Sequence, residues 1–296
     1  MEPRLQRRIQ RYGWDLAAAV YEQRWQAQLA PAHEALMALA SPQPGEQVLD
    51  VACGTGLVAL AVAEAVGPEG QVLGTDLSDR MVDAARQRAA QRGMSRRPAA
   101  PKGARTAAEG NPVSQLRFAR MDAEQLAFPD GGFDLALCAL GLMYVPKPEK
   151  ALREMRRVLR PNGRVALAVW GERARCGWSA LFPIVDAEVR SEVCPLFFRL
   201  GQRDALAGLC AEAGFERIVQ QRIASTLCYD DAEEACGAAF AGGPVALAWS
   251  RFGDETRLRV QARYLAAIEP WRRGSGYRIP GEFVIVAGAV PAHPSR

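Results

Sequence analysis

Histidine is nearly missing: only His33 and His293 occur in the chain. The seven cysteines (Cys53, Cys138, Cys176, Cys194, Cys210, Cys228 and Cys236) contain no Cys-x-x-Cys pair, so no metal is expected from the usual nitrogen and sulfur ligands. Their odd number and apolar surroundings also speak against a disulfide framework, and they read as reduced, structural thiols. No apolar run approaches the roughly 18 residues of a membrane-spanning helix. No apolar stretch follows the basic residues 1–11 as it would in a secretory leader, so the cytoplasm is the expected location. The charge excess is small, 37 basic against 33 acidic side chains, and does not imply nucleic acid. The arginines at 4–11 and 96–105 read as solvated tails and loops. No internal repeat is present. What remains is a globular chain of 296 residues, 49% hydrophobic and 24% charged, long enough for a sizeable core.

Apolar residues at near-helical spacing (Leu16, Val20, Leu29, Leu36, Leu39) predict one helix over 14–40, broken by Ser41-Pro42-Gln43-Pro44-Gly45. Strands are predicted at 47–51, 71–75, 116–119, 133–140 and 164–170. The helices between them are expected at 57–65, 80–92 (with Ser78 as N-cap) and 150–159. Two more strands are expected near 215–223 and 281–289, with helices at 203–213, 230–241 and 254–269. Strand–helix alternation predicts an α/β fold, a doubly wound, mostly parallel sheet. Residues 95–114, rich in Pro, Gly and basic side chains, lack periodicity and read as a mobile surface insertion.

The most informative segment is Val48-Leu49-Asp50-Val51-Ala52-Cys53-Gly54-Thr55-Gly56. Strand, glycine turn and helix follow in the order that lets a ligand approach the backbone and meet free N–H groups. Gly54, Gly56 and Ala59 also satisfy Gly-x-Gly-x-x-Ala, so an NAD-dependent oxidoreductase meets the same pattern. Asp50 lies four residues before Gly54, where it would oppose a pyrophosphate and suit a ligand bearing an ammonium and a sulfonium. Asp76, 26 residues further on, ends the next strand and can accept hydrogen bonds from ribose hydroxyls, which suits either cofactor. Asp122, followed by the small Ala123, can accept from an adenine amino group.

The segments VLDVACGTG, GTDLS, MDAEQLAFPDGGFDLALCALGLMYV and ALREMRRVLRPNGRVALAVWG, in this order over residues 45–171, resemble the class I S-adenosylmethionine-dependent methyltransferases. Within them the chain is similar to the branch containing the ubiquinone/menaquinone C-methyltransferases. It departs from that branch in the insertion at 95–114 and at Met143-Tyr144, where the quinone enzymes tend to carry Arg-Asn. The resemblance implies a Rossmann-like methyltransferase fold whose seventh strand, 281–289, runs antiparallel to the rest. It also implies S-adenosyl-L-methionine as cofactor, with the glycine loop under the methionine moiety, Asp76 on ribose and Asp122-Ala123 beside adenine.

The cofactor site is therefore expected from Tyr21, Asp50, Ala52, Cys53, Gly54, Thr55, Gly56, Asp76, Leu77, Met81, Asp122, Ala123, Ala139 and Leu140. Tyr21 belongs to an aromatic stripe with Trp14 and Trp25, which could lid the cofactor or simply pack. Tyr144, after the fourth strand, is the candidate catalytic residue, to orient the acceptor or take its proton, with plain aromatic packing as the alternative. Trp170, Trp178 and Phe182 are candidates to line an apolar acceptor pocket. The expected organisation is a helical lid over 1–44, a cofactor-binding core over 45–171, and a remainder over 172–296 that completes the sheet and caps the substrate. The expected activity is methylation of a small molecule at O, C or N; a nicotinamide oxidoreductase and a non-catalytic cofactor-binding subunit stay open as alternatives. Neither the acceptor nor the oligomeric state is legible.

Overall fold

The computed structural model describes residues 2–94, 115–189, 194 and 196–292; the expected insertion at 95–114 lies outside them. The elements are α1 (Pro3–Ala17), α2 (Tyr21–Ala40), β1 (Gln47–Val51), α3 (Leu57–Val66), β2 (Gln71–Asp76), α4 (Asp79–Gln91), β3 (Leu116–Arg120) and β4 (Phe133–Ala139). There follow α5 (Pro148–Val158), β5 (Leu159–Trp170), α6 (Leu181–Asp186), α7 (Ala205–Glu212), β6 (Glu216–Tyr229), α8 (Ala232–Ala239), α9 (Gly243–Arg251), α10 (Asp254–Ile268), β7 (Arg272–Arg273) and β8 (Gly276–Ala289).

One sheet runs in the order β3-β2-β1-β4-β5-β8-β6, with the two-residue β7 paired to β8. β1 to β5 are mutually parallel. β8 is antiparallel to both of its neighbours, β5 and β6. This is the doubly wound, mostly parallel sheet expected from the sequence, with the last strand reversed. The central strands are buried on both faces, which is why β1, β4 and β5 read as continuous apolar runs and β6, at the edge, alternates with exposed polar residues. α5 turns Ala151, Leu152, Met155 and Val158 inward at helical spacing and its charged residues outward. Ser78 caps α4 as expected, its hydroxyl accepting from the Met81 N–H at 3.1 Å.

The N-terminal segment differs from the expectation. The helix predicted over 14–40 is two helices separated at 18–20, and the basic residues before it, expected as a solvated tail, belong to α1. Beyond its first turns α2 covers the sheet: it buries Leu29, Ala32, Leu36 and Ala40 and packs on β4, β5, β6 and β8. α1 lies over the carboxyl ends of the strands, against α4 and α9. Its contact with α9 is backbone to backbone: a Cβ at Gly13 would overlap the carbonyl of Gly243. The predicted strands at 215–223 and 281–289 are longer than expected, reaching Tyr229 and starting at Gly276. Among the described residues no helix is long and apolar enough to cross a membrane.

Candidate active site

Strand order reverses between β1 and β4, so the loops leaving their carboxyl ends diverge and open a crevice, the usual ligand position in such sheets. Both loops begin with a non-glycine residue in the left-handed region, Ala52 (φ 56°) and Leu140 (φ 60°). Such conformations cost of order 1–3 kcal/mol each and gather at sites where the surrounding structure enforces them. Gly54 (φ 55°) has open space where a side chain would stand, so the loop backbone is bare toward the crevice.

Asp76 at the end of β2 organises this loop. Its Oδ2 accepts from the Gly54 N–H at 2.9 Å and its Oδ1 from the Ser78 N–H at 2.8 Å. Burial raises the Asp76 carboxyl to about 6, with those backbone N–H groups acting in the opposite direction. Asp50 is fully buried, and neither of its oxygens has a hydrogen-bond partner. Burial first, and then the Asp76 charge, raise it to about 8; the Ala59 N–H opposes them without making a bond of good geometry. The Thr55 hydroxyl is likewise buried and unpartnered.

The cleft has a volume of about 740 Å³. Of the predicted residues it gathers Tyr21, Ala52, Gly54, Asp76, Leu77, Met81, Asp122, Ala123, Ala139, Leu140 and Tyr144. Asp50, Cys53 and Thr55 lie instead around a small cavity behind the glycine loop, together with His33, whose burial lowers it to about 4. Gly56 borders neither space, and a side chain there would press on Phe118 and Ala85.

Several wall residues escaped the sequence reading: Arg7, Gln10, Met121, Gly141, Val145 and Pro146. Arg7 and Gln10 share a helical face with Trp14, so extending that helix back to Pro3 would have found them. Arg7 bonds Glu124 at 3.0 Å and Asp122 at 3.4 Å, tying α1 to the edge of the cleft. Asp15 completes the clamp from the other end of α1, accepting from the Ser78 hydroxyl at 2.6 Å. The aromatic stripe forms across two helices: Trp14 on α1 meets Tyr21 on α2 edge to face, with ring centres 5.8 Å apart.

A second cavity of about 520 Å³ adjoins the cleft and shares Trp14, Tyr21, Leu140 and Tyr144 with it. Its other walls include Trp25, Met143, Trp170, Trp178, Phe182 and Phe197, so the three aromatics expected beyond β5 are here. Among the described residues its lining holds no carboxylate, histidine, lysine or arginine. The indole N–H groups of Trp25 and Trp178 are buried without a partner. Burial, with the charges of Cys194 and Tyr21, raises the Tyr144 phenol well above its ordinary value, the wrong direction for a proton acceptor.

The carboxylate-rich strand ends, the unpartnered Asp50 and the open Gly54 fit a nucleoside bearing a cationic tail, and the one cation among the described lining residues, Arg7, is already paired with Asp122 and Glu124. The comparisons agree. The methyltransferase domain family matches residues 49–167. The ubiquinone/menaquinone biosynthesis C-methyltransferase UbiE of Pseudomonas putida strain GB-1 is 31% identical over 201 residues, 63% of this chain and 72% of its own. The YcgJ protein of Bacillus subtilis shares the fold at TM-score 0.57 and 17% identity, over 88% of this chain and 99% of its own. So does the phosphoethanolamine N-methyltransferase 2 of Haemonchus contortus, solved with S-adenosyl-L-methionine, at TM-score 0.56 and 16% identity, over 94% of this chain and 57% of its own. A dinucleotide oxidoreductase is thereby set aside: the chain belongs to the class I S-adenosylmethionine-dependent methyltransferases, and its sequence is similar to their ubiquinone/menaquinone biosynthesis branch.

Proposed function

We propose that this methyltransferase acts on a small, apolar, oxygen-bearing aromatic acceptor held in the cavity beside the cofactor cleft. The observation that carries the proposal is the composition of that cavity: aromatic walls, two unpartnered indole N–H donors, and no charged side chain among the described lining residues. A buried donor without a partner costs about 1–3 kcal/mol, which a carbonyl or hydroxyl oxygen of the ligand would recover. An ammonium or phosphate ligand finds no counter-charge there.

S-adenosylmethionine brings a methyl group already activated on a sulfonium. The chain's own contribution is then binding and alignment. We assign the cofactor to the residues around the glycine loop, with Asp76 facing ribose, Asp122 and Ala123 beside adenine, and Asp50 with Thr55 behind the loop, turned to the cationic end. Tyr144 stands on the boundary of the two cavities, where its hydroxyl orients the acceptor as a donor; its raised pKa rules against use as a base. With no carboxylate, histidine or lysine among the described residues lining the aromatic cavity, the acceptor reacts as its phenolate or enolate, its proton having passed to water. The P. putida relative is named for ubiquinone/menaquinone biosynthesis, and a ring of that kind suits these walls. Seven free thiols, mostly buried, suit a reducing compartment, and we place the protein in the cytoplasm.

The test is turnover of hydroxynaphthalenes and reduced naphthoquinones against aliphatic amines of equal size, followed as S-adenosylhomocysteine release. The oxygen-bearing aromatics should react, and Trp178→Phe should raise KM for them by about tenfold, the loss of one buried hydrogen bond. Turnover confined to the amines would overturn the proposal.

A further inference from the structure

Helix α1 is amphipathic the wrong way round for a helix that only closes a cleft. Its buried positions are Gln6, Gln10, Gly13 and Ala17, polar or small. Apart from Trp14, which faces the cleft, its larger apolar residues, Leu5, Ile9, Tyr12 and Leu16, follow one another at intervals of four, three and four, and so form a single stripe. That stripe faces outward: Leu5 is 39% exposed, Tyr12 44% and Leu16 50%, Ile9 between them is half-buried, and Val20 continues the stripe just beyond the helix at 37%. Single exposed apolar residues are ordinary, but a stripe of four to five along one helix is a surface built to be covered. Beyond Leu16 and Val20 it runs into an open groove whose far wall is Phe240, Ala246, Trp249 and Leu265, with one charge of each sign, Arg24 and Glu233, also lining it.

Charge distinguishes what covers it. Arg4, Arg8 and Arg11 lie about 60–120° round the helix from the stripe, all on the same side. Arg4 and Arg8 are exposed and form no ion pair among the described residues, and the Arg11 guanidinium stacks 4.7 Å from the Tyr12 ring centre. The helix's one acid, Asp15, is bonded to Ser78 and adds no negative charge to this face. Apolar residues bordered by arginines along one helix suit the headgroup boundary of an anionic bilayer. A second copy of the chain docked stripe to stripe would bring the two sets of arginines together, an unfavourable approach.

We infer that α1 is a lipid-facing helix, which seats the protein reversibly on anionic membrane surfaces with Leu5, Ile9, Tyr12 and Leu16 in the headgroup region. The same helix carries Trp14, which walls both the cofactor cleft and the aromatic cavity. Docking therefore brings the acceptor cavity to the layer where an apolar acceptor is concentrated; this last step rests on the acceptor class proposed above, whereas the docking itself does not.

The test is flotation of the full chain with phosphatidylcholine vesicles, with and without about 30% phosphatidylglycerol. The chain should float with the anionic vesicles and not with the neutral ones. The double variants Leu5→Ser/Leu16→Ser and Arg4→Glu/Arg8→Glu should each lower the bound fraction at least tenfold, with unchanged thermal unfolding and unchanged S-adenosylmethionine affinity by calorimetry. Absence of flotation, equal flotation of the variants, or a dimer in solution that Leu16→Ser dissolves would each overturn the inference. Because cofactor affinity is read separately, failure on vesicles leaves the methyltransferase assignment untouched, and failure to methylate aromatics leaves the docking result standing.

Discussion

Asp50 and Asp76 show how a carboxylate can be placed for a ligand at the expense of the free protein. Both are raised, Asp50 to about 8 and Asp76 to about 6, chiefly by burial. The unfolded pKa of an aspartate is about 3.9, so the folded state holds extra protons between the two values. The stability these groups contribute is therefore full below pH ~4 and declines as pH rises through 6 and 8. Asp50→Asn removes the steeper part of that slope. We expect the variant, free of cofactor, to melt at least ~2 °C above the parent at pH 8.5 and to lose this advantage near pH 5, measured by scanning calorimetry. A cation beside Asp50 reverses the preference and drives the proton off. Cofactor binding at pH 7 should thus release protons, and affinity should climb with pH up to about 8. Titration calorimetry in two buffers of different ionisation enthalpy reads the release; identical apparent enthalpies would remove Asp50 from the cationic end of the site. Asp76→Ala deletes a charged acceptor from the ribose position and should weaken cofactor binding at least tenfold, corresponding to the ~1.5–3 kcal/mol of such hydrogen bonds.

α1 is held by contacts of unequal kind, which makes its attachment testable one side at a time. Arg7 ties it to Asp122 and Glu124, Asp15 to Ser78, and Gly13 to the backbone at Gly243. Gly13→Val forces the last of these apart. We expect circular dichroism to report an unchanged sheet, with faster tryptic cleavage after Arg11 and a cofactor affinity lowered severalfold; cleavage at the parent rate would mean that α9 yields instead. The same helix explains what sequence reading could and could not reach. Periodicity finds elements through apolar inward faces, and it found α2 to α5 because Leu36, Val62, Val82 and Leu152 are buried. It mistook α1 because there the apolar face points out and glutamines point in; Leu16 and Val20, read as the start of a core helix, are exposed. Nothing in Ala18-Ala19-Val20 announces the break between α1 and α2. β8 was read five residues short because Pro280 looks like a boundary, yet it pairs within the strand opposite Thr226 near the sheet edge. The glycine loop and the three aspartates were legible because turn chemistry and charge at strand ends are local properties. Arg7 and Gln10 were not, because their place in the cleft depends on a helix crossing the sheet from outside.

At the scale of the molecule, the two cavities join three bodies: the sheet, α1 and the helices after β5. A chain of ring contacts runs through all of them. Trp14 on α1 meets Tyr144 after β4 at 5.1 Å, Tyr144 meets Phe197 at 5.3 Å, and Phe197 meets Trp178 at 5.6 Å. Trp178 then meets Trp170 on β5 at 4.8 Å, and Trp170 meets Phe283 on β8 at 4.2 Å. Each such pair contributes about 0.5–1.5 kcal/mol beyond the area it buries, so the bodies are coupled by several weak contacts rather than one strong one. A ligand touching Asp76, Trp14 and Tyr144 together adds a further link across the same seam. At a cofactor concentration of about 100 Kd the folded state gains about 2.7 kcal/mol, and local openings that break the site are suppressed to the same degree. Hydrogen exchange with and without S-adenosylmethionine should therefore slow in α1 and around Tyr144 as well as in the glycine loop, with the outer turns of α10 unaffected. If protection stops at the loop 52–56 and α1 exchanges as before, the cofactor is held by the sheet alone and Trp14 is packing for the acceptor cavity only.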